Sequence, residues 1–248
     1  MRALDRLRSD ARVVGALLRG MPSGISHRDR LDQFYRPQAA DYDRFRERLL
    51  GGRQDLVDSL ALPENASVLE LGAGTGANLD RFPTNLLATG QFVLVDLCPA
   101  LLAQSKMRHR DRTNVRIVES DAASFDSPQR FDAVVISYAL SMMPTFGDVI
   151  DNALRLLRPG GKLAVVDFYL WSGGAPARVR HGALTRTFWS RWFAHDGVEL
   201  DGRRLRHLAE RFPEHELVER VQPVPMLLGM SVPYFRFIGI KPATLTRS

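Results

Sequence analysis

Val68-Leu69-Glu70-Leu71-Gly72-Ala73-Gly74-Thr75-Gly76-Ala77 is where this sequence most plainly offers chemistry. Glycines directly after an aliphatic run let the backbone turn tightly and approach a ligand closely. Gly72, Gly74 and Ala77 loosely satisfy the fingerprint of a dinucleotide loop. Asp96 ends the next aliphatic run, Phe92-Val93-Leu94-Val95. A carboxylate at that point can accept from both hydroxyls of a ribose. The alternative is a helix N-cap before Pro99, and the glycine loop upstream favours the ribose. Asp121-Ala122 and Ser137-Tyr138 close two further runs. The carboxyl ends of parallel strands are where such sheets bind ligands.

These residues need a scaffold that brings strand ends together, and the hydrophobic pattern supplies one. Strands are expected over 67–71, 92–95, 115–118, 131–137 and 162–168, and helices over 77–87, 99–110 and 148–157. Apolar runs alternating with helices argue for a mostly parallel, twisted sheet with helices on both faces, an α/β fold. A helix over 203–212 and strands over 215–221 and 232–240 complete the chain, the last strand antiparallel. Residues 61–248 are expected to form this domain, with an insertion at about 171–202 covering the site. Residues 1–60 are expected to form an N-terminal helical cap, with two helices between 30 and 60 parted at Gly51-Gly52.

Composition narrows the class. The 248 residues suit one domain with an appended cap. The net charge is +6, carried almost wholly by Arg, since Lys stands only at Lys106, Lys162 and Lys241. Such a surface attracts polyanions, and a merely solubilising surface is the alternative. No aromatic-basic recognition module is legible, so nucleic acid is not an expected partner. Cys98 is the single cysteine, which leaves no intrachain disulfide and no cysteine cluster for a metal. It reads as a small packing residue rather than a reactive thiol.

Leu4, Leu7, Ala11, Val14 and Leu18 recur at helical spacing among arginines. This stretch is either an amphipathic helix on anionic lipid or a helix docked on the domain. No signal-peptide pattern or membrane-spanning run is present in the sequence. The expected location is cytoplasmic, on the inner face of a membrane where the amphipathic reading holds.

Three details separate the glycine loop from a nicotinamide site. Glu70 lies two residues before the first glycine, a third glycine stands at Gly76, and an Arg158-Pro159-Gly160-Gly161 turn precedes the strand at 162–168. Together they resemble the motifs of Rossmann-like class I methyltransferases, which use S-adenosylmethionine. A closer resemblance extends over nearly all the chain from residue 34. It is carried by Phe34-Tyr35-Arg36-Pro37, Leu94-Val95-Asp96-Leu97-Cys98-Pro99 and Ser137-Tyr138-Ala139-Leu140-Ser141-Met142. Its most specific block is Arg186-Thr187-Phe188-Trp189-Ser190-Arg191-Trp192-Phe193-Ala194-His195-Asp196-Gly197, and Val232-Pro233-Tyr234-Phe235 completes it. These blocks resemble the betaine-lipid N-methyltransferases.

That resemblance implies stepwise trimethylation of the homoserine amine of diacylglyceryl-homoserine. Some relatives carry the transferase that builds the homoserine lipid in the same chain; here a separate synthase is the implied partner. It implies S-adenosylmethionine held by Tyr42, Arg46, Glu70, Gly72, Gly74, Gly76, Asn78, Asp96, Leu97, Asp121, Ala122 and Ser137, with Asp121 toward the adenine and Ser137 toward the methionine arm. An aromatic set of Tyr35, Tyr42, Tyr138, Trp189 and Trp192 can hold the cationic product. For the tryptophans and Phe193 a packed helix face is the alternative. Arg186 and Arg191 are candidates for the homoserine carboxylate, with solvated surface arginines as the alternative. His195 is a candidate proton acceptor beside Asp196, although helix capping by Asp196 is the simpler reading. Another small amine, or a quinone-like acceptor, fits the nucleotide motifs equally well.

Overall fold

The computed structural model describes residues 20–22, 26–39, 43, 47, 49–171, 173–174, 176–195, 197–224 and 230–243. The helix expected in the first twenty residues lies, apart from Gly20, outside them.

Seven strands form one sheet in the order β3-β2-β1-β4-β5-β7-β6. They are β1 (Ser67–Leu71), β2 (Gln91–Asp96), β3 (Val115–Glu119), β4 (Phe131–Ser137), β5 (Leu157–Phe168), β6 (His215–Pro223) and β7 (Ser231–Ile240). β1 to β5 pair in parallel, with Leu69 between Val93 and Val134. β7 runs antiparallel to both β5 and β6, so the last strand alone is reversed, as expected. The order turns back at β1, whose two neighbours lead away in opposite directions. Such a reversal opens a crevice beyond the strand tips.

The central strands are buried on both faces, which is why their sequences are continuous aliphatic runs rather than alternating ones. On one face Val68, Leu94, Val135, Ala164 and Val166 pack with Leu56 and Val57. On the other, Leu69, Val93, Val134, Ile136 and Val165 pack with Val149, Ile150, Ala153 and Leu156 and with Leu205 and Leu208. These come from helices α2 (Arg53–Asp58), α5 (Phe146–Leu156) and α7 (Arg203–Arg211). A third cluster joins Leu31, Phe34 and Tyr35 of α1 (His27–Tyr35) to Cys98 and Leu101 at the start of α4 (Pro99–Arg108). That cluster seats α1 across the strand tips.

Three expectations are corrected. The helix expected over 77–87 is a 3-10 turn, Ala77–Arg81, and a separate α3, Thr84–Thr89. Pro83 parts them, because it cannot donate and its φ of −55° with ψ of 143° leaves the helical region. The strand expected from 162 begins at Leu157, since Gly160 turns at φ +75° within it and Phe131 still pairs Leu157. The helix expected over 148–157 spans Phe146–Leu156, Leu157 already opening β5; the insertion after β5 carries α6 (Ala183–Ala194). Between 26 and 60 lie α1, a 3-10 turn at Arg36–Gln38, helical backbone at residues 43, 47 and 49, and α2, which Gly52 at φ +73° immediately precedes.

Asn152 on α5 shows how packing positions the strand tips. Its buried amide donates to Ala122 O and Phe125 O, both at 2.9 Å, and its oxygen accepts from Arg155. Replacing it with Leu strips Ala122 O of its partner and leaves Phe125 O only the Arg155 bond at 3.2 Å. Asn152→Leu is expected to lower stability by about 1–3 kcal/mol in urea denaturation.

Candidate active site

The loop after β1 is held from two sides. Gly72 N–H and Ala73 N–H both donate to Val95 O, at 2.8 and 3.0 Å. Gly74 N–H donates to Asp96 Oδ2 at 2.7 Å, and Cys98 N–H to Asp96 Oδ1 at 2.8 Å. The three glycines serve two purposes. At Gly72 a Cβ would lie 2.4 Å from Ala139 Cβ, and at Gly76 it would lie 2.7 Å from His109 Nε2 and Ser105 Oγ. Both keep φ positive to let side chains pack behind the loop. Around Gly74 the nearest atom is Leu101 Cδ1 at 3.7 Å, so that glycine leaves open space in the cleft.

The cleft contains about 970 Å³ of empty space, the solvent at its mouth included. Asp96, Leu97 and Cys98 form one wall, Ser120, Asp121 and Ala122 one end, and Ser137, Tyr138, Met142 and Met143 the other. α1 roofs it with His27, Leu31 and Tyr35.

Several atoms here still have capacity to bind. Each Asp96 oxygen takes one backbone N–H and keeps a second lone pair. Burial raises the Asp96 pKa, and N–H groups of Cys98, Gly74 and Leu97 oppose that rise. Asn78 Oδ1 and Ser137 Oγ are buried without a hydrogen-bond partner, and both residues line the same cleft. An acidic diol acceptor, two unpaired polar atoms and an open glycine in one cleft fit a nucleoside carrying an amino-acid arm.

Glu70 stands one layer behind. It is buried within β1 and its Oε1 accepts from Asn78 Nδ2 at 2.7 Å. Burial pushes its carboxyl up to about 7; the Asn78 bond opposes the shift and the Asp96 charge adds to it.

Tyr138, at the tip of β4, has φ +52°, a left-handed conformation that a tyrosine seldom adopts. Its N–H donates to Val166 O and its hydroxyl to Gly51 O, each at 2.7 Å. The ring packs on Phe168 with centroids 4.6 Å apart. Tyr35 reaches the cleft from α1, its hydroxyl 3.1 Å from Met142 Sδ.

Residues 69–163 match the family described as "Methyltransferase domain". The chain is 27% identical over 221 residues to the ubiquinone/menaquinone biosynthesis C-methyltransferase UbiE of Ectopseudomonas mendocina (strain ymp), covering 85% of each chain. It is 29% identical over 200 residues to UbiE of Pseudomonas putida (strain GB-1), covering 77% of each. The chain is a class I, S-adenosylmethionine-dependent methyltransferase. The methyltransferase shares its fold with the N-methyltransferase NodS of Bradyrhizobium japonicum WM9, solved with S-adenosyl-L-homocysteine (TM-score 0.63, 19% identity, 86% of this chain and 98% of that one). A phosphoethanolamine N-methyltransferase of Haemonchus contortus aligns with TM-score 0.70 at 16% identity, over 89% of this chain and 61% of that one.

Of the residues expected at the methyltransferase's site, the cleft brings together Tyr35, Gly72, Gly74, Asn78, Asp96, Leu97, Asp121, Ala122, Ser137 and Tyr138. Asp121 also makes a turn, Oδ1 accepting Ala123 N–H at 2.8 Å. Gly76 and Glu70 shape the wall from behind. Tyr42, Arg46 and Asp196 lie outside the described residues.

Residues from α6 and its end do not line the cleft, which corrects their expected roles. Trp189 is buried against Phe188 and Phe193, because that side of α6 is spent on the core. Trp192 and Arg191 face solvent, and His195 is exposed beside Gly20 and Met21, its carbonyl accepting Met21 N–H. Arg186 borders a separate groove with Trp171, Arg203 and Arg206. Cys98 is buried and its thiol is pushed up to about 12 by desolvation, in keeping with a packing role.

His27, Asp43, Thr75 and Arg53 are cleft residues that sequence reading missed. Thr75 Oγ1 donates to Asp43 Oδ1 at 2.6 Å, closing the loop's outer edge. A signal for His27 existed in Ser26, which caps α1 by accepting Asp29 N–H at 3.2 Å. Burial and Arg30 lower the His27 pKa, with Asp121 opposing, so the imidazole is favoured neutral.

Two outcomes are expected. Asp96→Ala removes the acceptor of the Gly74 and Cys98 N–H groups from the cleft wall; calorimetry should show S-adenosylmethionine bound about 1–3 kcal/mol more weakly. A wild-type affinity would remove Asp96 from the nucleoside. Glu70 keeps its proton in the folded state up to a pKa of about 7, against 4.5 for an ordinary carboxyl. The folded state therefore holds the extra proton between those values, and stability falls by about 3 kcal/mol as pH rises through them. Glu70→Gln should flatten that decline in urea denaturation measured at several pH values.

Proposed function

We propose that this methyltransferase methylates the amine of a lipid-borne amino-acid headgroup, taking diacylglyceryl-homoserine stepwise to diacylglyceryl-trimethylhomoserine. The observation that carries the reading is the pair Tyr35 and Tyr138, both lining the cleft that the Gly72–Gly74 turn also borders. Each hydroxyl is already engaged, with Met142 Sδ and Gly51 O respectively. What remains for a ligand is aromatic surface, which attracts a cation without exchanging protons. An amine that gains permanent positive charge suits such walls.

S-adenosylmethionine supplies a methyl carbon activated by its sulfonium. Asp96, Asn78, Ser137 and the Gly74 backbone hold that donor, and the tyrosines orient the amine. The amine nitrogen gives its lone pair to the methyl carbon, the carbon–sulfur bond breaks, and the new ammonium loses a proton to water before the next round. A chain-terminal α-amino group has a pKa of about 8 and one beside a free carboxylate a higher one, so keeping the amine neutral near pH 7 costs about 1.4 kcal/mol or more. Positioning offers up to about 7–11 kcal/mol, so orientation outweighs any base. Arg186 and Arg191 lie away from the cleft; Arg53 lines it, its guanidinium held by Glu47 Oε2 at 2.6 Å and Leu50 O at 3.1 Å.

A second reading, C-methylation of a quinone-like ring, is favoured by the UbiE similarity over most of the chain. Leu31, Leu50 and Met142 give the cleft the apolar surface such a ring would need. Labelled S-adenosylmethionine, offered with homoserine lipid, soluble amines and a quinone precursor in turn, separates the two. Mono-, di- and trimethylated lipid is the expected product; label found only in the quinone would overturn the lipid reading. Tyr35→Leu should slow the last methylation by roughly 2- to 30-fold, the range of a cation–π contact, while Tyr35→Phe stays near wild type.

A further inference from the structure

α6 presents two apolar sides, where one would hold it on the domain. Trp189 and Phe193, four residues apart, are buried. Leu184, Phe188 and Trp192 also recur every four residues, on another side, and are 88%, 38% and 43% exposed. The Phe188 and Trp192 rings stack at 6.0 Å with an interplanar angle of 21°. Val179, just upstream, is exposed as well. Large apolar side chains aligned on a solvent-facing helix mark an interaction surface.

The surrounding charge indicates what covers it. No Asp or Glu occurs between Asp167 and Asp196, while Arg178, Arg180, Arg186 and Arg191 fall in that span. Arg178, Arg180 and Arg191 are exposed. Glu219, from β6, is occupied with the Arg178 and Val179 N–H groups, at 2.9 and 3.2 Å, and pins the segment leading into α6. An apolar stripe edged with one sign of charge is poorly suited to a second copy, whose arginines would meet these across a two-fold interface. It matches an anionic bilayer, which takes aromatic and aliphatic side chains at its headgroup boundary and attracts arginine to its phosphates.

We propose that α6 docks the enzyme on an anionic lipid surface through Leu184, Phe188 and Trp192, with Arg178, Arg180 and Arg191 against the headgroups. No helix among the described residues is long and apolar enough to cross a membrane, and surface docking requires none. The buried side of α6 connects the docking surface to the site. Phe193 packs on Phe168 at 5.0 Å, and Phe168 on the cleft residue Tyr138 at 4.6 Å. The docked helix thus lies two ring contacts from the cleft residue assigned to the acceptor. For its purpose this inference rests on the lipid-headgroup reading, but its test needs no substrate.

The whole chain is sedimented with vesicles of phosphatidylcholine, and of phosphatidylcholine mixed with phosphatidylglycerol, neither containing homoserine lipid. Anionic vesicles should bind about tenfold more tightly or better, with a blue shift in tryptophan emission. Trp171 and Trp189 are buried, so that shift reports Trp192. The double variant Leu184→Glu, Phe188→Glu should lose about tenfold or more of this binding while keeping its affinity for S-adenosylhomocysteine. No association with either vesicle, or equal association of the variant, overturns docking by α6. So does a lipid-independent dimer that the variant abolishes, which would make the stripe a contact between copies. A protein that binds these vesicles but never methylates homoserine lipid sinks the substrate reading and leaves docking intact.

Discussion

Two backbone N–H groups, from Gly74 and Cys98, converge on the carboxylate of Asp96, and the site depends on that convergence. The sheet reverses its order beside β1, so the loop after β1 projects into a crevice instead of continuing along a neighbouring strand. Apart from Thr75 at its outer edge, a glycine-rich loop in that position has no polar side chain to anchor it. Asp96 supplies the anchor from the tip of the next strand, and Val95 O adds two further bonds. The same carboxylate ties down the turn into α4. Burying a charge there is costly, and the donated N–H groups offset the cost. The remaining lone pairs face the cleft, so the group that builds the loop is also free to bind what the loop surrounds.

A comparable double use holds the acceptor side. Tyr138 accepts a backbone conformation that costs about 1–3 kcal/mol for a residue with a Cβ. Its N–H bond to Val166, its hydroxyl bond to Gly51 and its ring contact with Phe168 over-determine that conformation. The chain from β4, the segment before α2 and the end of β5 are thereby fixed around one ring. Asp167, beside Phe168, extends the arrangement: buried, it accepts from Ser141 N–H and Oγ at 2.7 and 2.8 Å and so holds the turn that carries Met142 to the cleft. Burial lifts its carboxyl to about 6, against the Ser141 bonds that favour its charge.

Much of this was legible beforehand. The aliphatic runs at 67–71 and 131–137 mark their strands to the residue, because the apolar residues of a strand buried on both faces stand out against the turn residues around them. Gly72, Gly74, Asp96, Asp121, Ser137 and Tyr138 sit at strand tips, and a parallel sheet gathers its tips along one edge. Tyr35 came from resemblance alone, since no local pattern says that α1 folds over those tips. Trp189 shows where spacing is ambiguous. Its aromatic block looks equally suited to a site or a core, and only its contacts with Phe188 and Phe193 place it in the core. Arg186 and Arg191 could not be separated from Arg53 by type, and burial in the folded chain distinguishes them.

By itself, then, the sequence determined the α/β scaffold, the glycine turn and the acidic residues at the strand ends. Hydrophobic period and turn chemistry act over a few residues and are written locally. The tertiary structure decided which aromatic rings face the cleft, that Gly72 and Gly76 serve packing while Gly74 leaves room for a ligand, and that α6 turns one apolar side inward and another to solvent. Those outcomes depend on contacts between segments far apart in the chain, such as Gly72 with Ala139 and Tyr138 with Gly51. Local composition cannot encode them, because the partner that decides each one arrives only when the sheet has assembled.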